Sequence, residues 1–299
     1  MPQRTVVVTG GLGRSGRWIA DLLADEEWRV VCVDQTHPGW EIDARENLDF
    51  RAADLTDRGE ALDLLADLDP DAVVHWAALP SPTRHAGGRV FETNVLAAYN
   101  VLVGAGRAGA RVAWASSESA YGYAFAEEDR LPDRLPIREA DALRPEDPYG
   151  TSKVVGEEVA EMVTRRFGVP VASVRSSWIQ YPGEYACVEG RDDLAAGAGN
   201  FWSYVDVRDV ASIVSAAVEA DFSGHEAFHA AAADTYLERP IEEALEEYFG
   251  ELPDDCNVAG DESALSVEKA DEVLDWQPDY SWREAADEAV AGPELVRED

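Results

Sequence analysis

Thr5-Val6-Val7-Val8-Thr9, followed at once by Gly10-Gly11-Leu12-Gly13-Arg14-Ser15-Gly16, decides how this chain folds. A short β-branched run reads as a strand buried on both faces. Trp18, Ile19, Leu22 and Leu23 then recur at helical spacing. The order is strand, glycine turn, helix. Gly10 allows the tight turn, Gly13 lets the backbone approach a pyrophosphate, and Gly16 lets the helix pack on the strand. Leu12 lies inside the same loop. Placed between a strand and a helix, the pattern predicts a dinucleotide site.

Working outward, Arg29-Val30-Val31-Cys32-Val33 is the next strand and ends in Asp34. An acid about 20 residues after the glycines accepts hydrogen bonds from a ribose and repels a 2′-phosphate, so NAD is favoured over NADP. Arg14 is the opposing signal. A third strand, Leu48 to Ala53, ends at Asp54-Leu55-Thr56-Asp57. Thr56 or Asp57 can cap the following helix, and Asp54 can touch an adenine amino group. The stretch Asp71 to Ala78 is the fourth strand, and its small ends, Ala77 and Ala78, would let a cofactor lie against the backbone. His75 in such a strand reads as a packed core residue. Ser81, Arg84 and His85, on the loop after it, are substrate-site candidates because ligands bind at the carboxyl ends of strands in open α/β sheets.

Asn94 is a polar residue in the otherwise apolar helix from Val90 to Arg107. The fifth strand, Val112 to Ala115, runs into Ser116-Ser117-Glu118-Ser119-Ala120-Tyr121-Gly122, and a serine at that strand end can bond a reacting oxygen. The sixth strand is Pro170 to Arg175. Strands alternating with helices predict an α/β fold, a Rossmann-like doubly wound parallel sheet. Beyond 178 the pattern loosens through a Gly/Ala-rich stretch, then resumes with helices at 207–220 and 241–249, a late strand at 227–232 and a last amphipathic helix. We therefore expect residues 1–177 to bind the cofactor. Residues 178–299 would form a small substrate-capping lobe and the final Rossmann elements.

The second decisive stretch is Pro148-Tyr149-Gly150-Thr151-Ser152-Lys153. The chain has two lysines, and Lys153 is one of them. Residues four apart share a helix face. An ammonium beside a phenol favours the phenolate, so the Tyr149 pKa is expected to fall from about 10. A tyrosine tuned in this way can act as general acid or base.

The 299 residues include 60 acidic and 25 basic side chains, a net charge of −35. Such a field repels nucleic acid and anionic membranes. The acids are spread along the chain, as in proteins from salt-loving organisms. Three widely spaced cysteines offer no metal motif and point to a reducing compartment. Met1 runs straight into a strand, without a signal peptide, and no apolar run nears the roughly 20 residues of a membrane helix. The expectation is a cytoplasmic protein with no metal.

Taken together, these motifs resemble the extended short-chain dehydrogenase/reductases, the NAD-dependent epimerase/dehydratase family. The match rests on Thr9-Gly10-x-x-Gly13-x-x-Gly16, Asp34, Asp54-Leu55, Ala77-Ala78, Asn94, Ser116-Ser117, Tyr121-Gly122 and Tyr149-x-x-x-Lys153. Ser266-x-x-Lys269-Ala270 and Leu274-x-Trp276-x-Pro278 also match. The resemblance implies that Ser117, Tyr149 and Lys153 are catalytic. Lys153 would also hold the nicotinamide ribose, Asn94 would organise the cofactor side, and two copies would pair through the helices of Asn94 and Tyr149 as a homodimer.

Two departures bear on the substrate. Members acting on nucleotide-diphosphate sugars usually have an Asn shortly after the sixth strand's Arg, where this chain has Ser176-Ser177-Trp178. They usually have an Arg where this chain has Trp202. The segment from Trp178 to Tyr204 is also short. This shape is closer to dehydrogenases of free aldoses and uronates, and makes Trp178 a substrate candidate with Ser81 and Ser117. The alternatives are a nucleotide-sugar epimerase or dehydratase that recycles NAD, and a non-catalytic NAD-binding sensor.

Overall fold

The computed structural model describes residues 3–39 and 43–297. Met1, on which the reading of the N-terminus rests, and the outermost ends of both expected segments lie outside them. Seven strands form one parallel sheet: β1 (Thr5–Thr9), β2 (Arg29–Asp34), β3 (Leu48–Ala52), β4 (Ala72–His75), β5 (Arg111–Ala115), β6 (Val171–Ser176) and β7 (His225–Ala230). Their order across the sheet is β7-β6-β5-β4-β1-β2-β3. The order reverses between β1 and β4, and the crevice at that switch point is where open α/β sheets bind ligands.

Strand periodicity explains how the sheet is buried on both faces. Val6, Val8, Val30, Cys32 and Val74 point into one apolar cluster. Their alternates Val7, Val31, Val33 and Val73 point into the opposite one, as a period of two requires. The first face is covered by α1 (Gly16–Asp25), whose Ile19, Ala20 and Leu23 are buried. The second is covered by α2 (Arg58–Leu68), α3 (Gly87–Ala108) and α4 (Pro148–Phe167). On the first face, α5 (Val207–Glu219) packs beside α1, with Val210, Val214 and Val218 buried.

The helix starts are set by side chains. Asp57 caps α2, accepting from Gly59 N at 2.7 Å and Glu60 N at 3.0 Å. Asp147 caps α4, accepting from Tyr149 N at 2.8 Å and Gly150 N at 2.9 Å, and Pro148 occupies the first helical turn. Capping of this kind is worth about 1 kcal/mol, and here it fixes where the Tyr149 helix begins.

A third apolar cluster joins residues on both sides of position 178. Tyr121, Leu135 and Ile137 meet Tyr185, Phe201, Trp202, Tyr204, Tyr236 and Trp282. Helix α6 (Ile241–Phe249) adds Ile241 and Leu245. The fourth strand is shorter than the sequence suggests, ending at His75, because the chain leaves the sheet there and carries Ala77 past Gly10. The expected closing helix is a single turn, Trp282–Ala285, capped by the Ser281 hydroxyl on Arg283 N. Among the described residues, no helix is long and apolar enough to cross a membrane.

Candidate active site

The glycine loop lies over the carboxyl ends of β1 and β4. Gly10 has φ +67°, and a Cβ there would come within 2.8 Å of the Ala77 backbone. A Cβ on Gly16 would sit 2.0 Å from the Gly10 carbonyl oxygen. Only glycine lets the turn, the helix and the Ala77 strand end meet this closely. Gly13 closes the turn by donating its N–H to Gly10 O at 2.9 Å. Leu12 packs against the apolar cluster under α1.

The other predicted cofactor residues gather at the same edge of the sheet. Asp34 ends β2, and its Oδ1 accepts Gln35 N at 2.8 Å. Asp54 is exposed and folds back on its own turn, its Oδ1 accepting from Thr56 N at 2.9 Å and Thr56 Oγ1 at 2.7 Å. Leu55 is buried, and Asn100 Nδ2 fixes that loop by donating to Leu55 O at 3.0 Å. Arg14 pairs with Glu184 and stacks on Tyr181, with the guanidinium carbon 3.8 Å from the ring centroid. With Arg14 engaged there, the carboxylate ending β2 is an acceptor for a ribose, which fits NAD.

Asn94 is 5% exposed and works as a splice between elements. Its Oδ1 accepts Leu79 N at 2.8 Å, and its Nδ2 donates to Leu79 O at 3.1 Å and to Ser152 Oγ at 3.3 Å. It ties the loop after β4 to the residue before Lys153. Asn94, Ala77, Ala78, His75, Ser152 and Lys153 enclose a cavity of about 10 Å³, space for about one water. His75 is packed in the core, its Nδ1 2.8 Å from Thr9 Oγ1. Burial first, and then Lys153, push its pKa down to about 3.

Ser117, Tyr149 and Lys153 come together. Ser117 Oγ accepts Ser119 N at 3.1 Å and donates to Ser119 Oγ at 3.1 Å, and it lies close enough to the Tyr149 phenol to lower its pKa. Lys153 is 3% exposed, with Nζ 5.2 Å from the Tyr149 ring centroid and donating to Ala115 O at 2.6 Å. The expected fall in the phenol's pKa is corrected here. Burial pushes Tyr149 up to about 12, with the Ser117 hydrogen bond opposing. Burial also pushes Lys153 down to about 7, with Glu157 opposing. Burial thus drives both groups toward their neutral forms, against the mutual stabilisation the spacing suggests.

Behind this group runs a buried polar network. Arg175 on β6 pairs with Glu157 at 2.6 Å and donates to Tyr121 Oη at 2.7 Å. Ser116 Oγ donates to Glu157 at 2.6 Å. Tyr121 Oη lies 2.6 Å from His229 Nε2, and His229 Nδ1 lies 2.7 Å from Ser266 O. Arg175, Tyr121 and Ser266, all in motif segments, are therefore parts of one scaffold that ties Ser116 to α4.

Of the substrate candidates, Trp178 stands 41% exposed and meets Tyr236 edge-on at 6.2 Å. Ser81 hydrogen-bonds the Thr83 hydroxyl at 2.8 Å on the loop after β4. Trp202 is fully buried and donates its indole N–H to Leu194 O at 3.1 Å. The sequence reading passed over Glu118, Ser177, Asn200 and Tyr236, which adjoin Ser117 and Trp178. An acid directly after the strand-end serine was the one available signal.

The family model described as the NAD dependent epimerase/dehydratase family matches residues 6–184, more than half of the chain. An L-arabinose 1-dehydrogenase (NAD(P)(+)) of Haloferax volcanii is 31% identical over 180 residues, 58% of this chain and 66% of that protein. A UDP-glucose 4-epimerase of Streptococcus mutans is 28% identical over 176 residues, 57% of this chain and 50% of that protein. The chain spans about half the length of the curated epimerases it matches. The crystal structure of a UDP-glucose 4-epimerase of Thermotoga maritima with UDP-glucose superposes with a TM-score of 0.70 at 23% identity, covering 95% of this chain and 96% of that one.

Proposed function

Because the chain belongs to the NAD-dependent epimerase/dehydratase family, we propose that it is a dehydrogenase of a free sugar, oxidising a ring hydroxyl with NAD. The observation that carries this reading is Trp178. It stands exposed against Tyr236 where nucleotide-sugar members carry an Asn, and so offers an aromatic wall directly after Ser177, which bonds the neighbour of Ser117. Such a wall suits the apolar face of a sugar ring. The similarity to the Haloferax arabinose dehydrogenase points the same way.

In this reading Ser117 holds the substrate oxygen beside Tyr149. Tyr149 takes the proton of the hydroxyl as carbon is oxidised, and returns one in the reverse direction. Lys153 positions the phenol and the cofactor ribose. Asn94 keeps the Ala77–Leu79 loop and α4 in register. Asp34, Asp54, Leu55, Ala77, Ala78 and the glycine loop hold the dinucleotide. NAD, when bound, supplies the hydride acceptor that side chains lack. Residues 178–299 contribute the capping lobe. The free cysteines Cys32, Cys187 and Cys256 support a reducing, cytoplasmic setting. Phe91, Leu96 and Tyr99, exposed on α3, support a homodimer through α3 and α4.

The test is absorbance at 340 nm with NAD and a panel of free aldoses, uronates and UDP-sugars in molar salt. A steady rise with one free sugar supports the proposal. A changed UDP-sugar without net NADH would replace it with the second reading, epimerisation with recycled NAD, which the Thermotoga fold match and the Streptococcus relative favour.

A further inference from the structure

Glu118 directly follows Ser117, on the single turn Glu118–Tyr121. Its Oε2 accepts the Ser177 hydroxyl at 2.8 Å. Its carboxyl also meets the Asn200 side chain, and its charge is felt at the phenols of Tyr149 and Tyr236. Tyr236 in turn carries Trp178 on its edge. Three loops far apart in sequence therefore bring together a carboxyl, an amide, a hydroxyl and an exposed indole beside Ser117, and Tyr236 adds a fourth loop.

This wall has hydrogen-bonding capacity to spare. Asn200 Oδ1 is buried with no partner, although its Nδ2 donates to Ser203 O at 2.9 Å. A buried polar atom left unpaired costs about 1–3 kcal/mol unless a ligand completes it. A carboxyl offers about four acceptor sites, and the Ser177 hydroxyl fills one. Enclosure also holds the Glu118 carboxyl up to about 8, so at neutral pH it both donates and accepts. Vicinal hydroxyls present the complementary pattern, and the Trp178 face suits the C–H side of a ring. Once Glu118 ionises, above about pH 8, a second carboxylate brought here would face it as a like charge.

We propose that Glu118, with Ser177, Asn200 and Trp178, forms a hydroxyl-reading subsite that admits an uncharged sugar and turns away one bearing a carboxylate. This deepens, and rests on, the free-sugar reading above.

The test compares an aldose with its uronate, galactose with galacturonate, in the full chain and in E118Q. At pH 9 Glu118 is ionised, while the side chains facing it from the other elements, Ser177, Asn200, Tyr149 and Tyr236, carry no charge. Two quantities are read: kcat/KM from NADH formation, and Kd from tryptophan fluorescence with NAD present. The full chain should prefer the aldose by roughly tenfold or more, and E118Q, equal in size and unable to ionise, should lose most of that ratio. Equal use of both sugars by the full chain, or an unchanged ratio in a folded E118Q, overturns the proposal. If no free sugar is oxidised, the dehydrogenase reading fails, and the fluorescence ratio still decides the role of Glu118 on its own.

Discussion

At the scale of single residues, burial outweighs proximity in this site. Tyr149 and Lys153 are brought together as the i, i+4 spacing requires, yet each is driven toward its neutral form. Tyr149→Phe should lower turnover by about 10²–10⁴-fold, the usual worth of general acid–base catalysis. Its edge contact with Phe125, at 6.1 Å, remains, so the melting temperature should hold. Lys153→Met should abolish turnover and raise the melting temperature below pH 7. There the wild-type amine is charged and buried, a cost relieved as pH climbs from about 7 toward the unfolded value. Glu118 works in the opposite sense. Its folded pKa is raised to about 8, so its favourable contribution is complete below the unfolded value near 4.5 and is lost as pH climbs to about 8. Thermal melts across pH 5–9 should show E118Q gaining on the parent chain as pH rises. A gap that does not change with pH would contradict this.

At the scale of elements, the Glu157–Arg175 pair joins α4 to β6, with side chains 8% and 5% exposed. Removing one partner strands a buried charge, whereas replacing both with apolar groups is often close to neutral. Arg175→Leu should therefore cost about 3–5 kcal/mol in chemical denaturation, and the double variant Glu157→Leu/Arg175→Leu should recover much of it. The same contrast separates what the sequence makes legible from what it hides. Strands β1, β2, β5 and β6 and the helices around them follow from β-branched runs and short-range periodicity, and the glycine loop from spacing alone. Those signals are local. The wall of Glu118, Ser177, Asn200 and Tyr236 exists only because four loops converge, and beyond an acid directly after the strand-end serine nothing in their separate neighbourhoods announces it. The direction of the Tyr149 shift was hidden for the same reason, since spacing shows a neighbour but not how much water remains beside it. The last helix was over-read because a short amphipathic pattern resembles a longer one, and here the chain makes only one turn, Trp282–Ala285.

At the scale of the whole molecule, a net charge of −35 opposes compaction. Salt bridges such as Arg4–Glu219, Arg29–Asp49 and Arg239–Glu247 lie on the surface, where each is worth little. Screening should therefore stabilise the fold, and the melting temperature should climb from 0.1 M to 2 M NaCl; a flat or falling curve would contradict this. Light scattering in the same salt tests the dimer, and a monomer would refute pairing through α3 and α4. The scarcity of lysine has a consequence of another kind. A protease that cuts only after lysine has two bonds to attack. One follows Lys269, which is partly exposed and paired with Glu226 at 2.8 Å. The other follows Lys153, within α4 and beneath the loop that Asn94 fastens, and stays out of reach until that helix opens. Cleavage there, timed against cleavage after Lys269, would report how often the centre of this fold comes apart while the rest of the population stays folded.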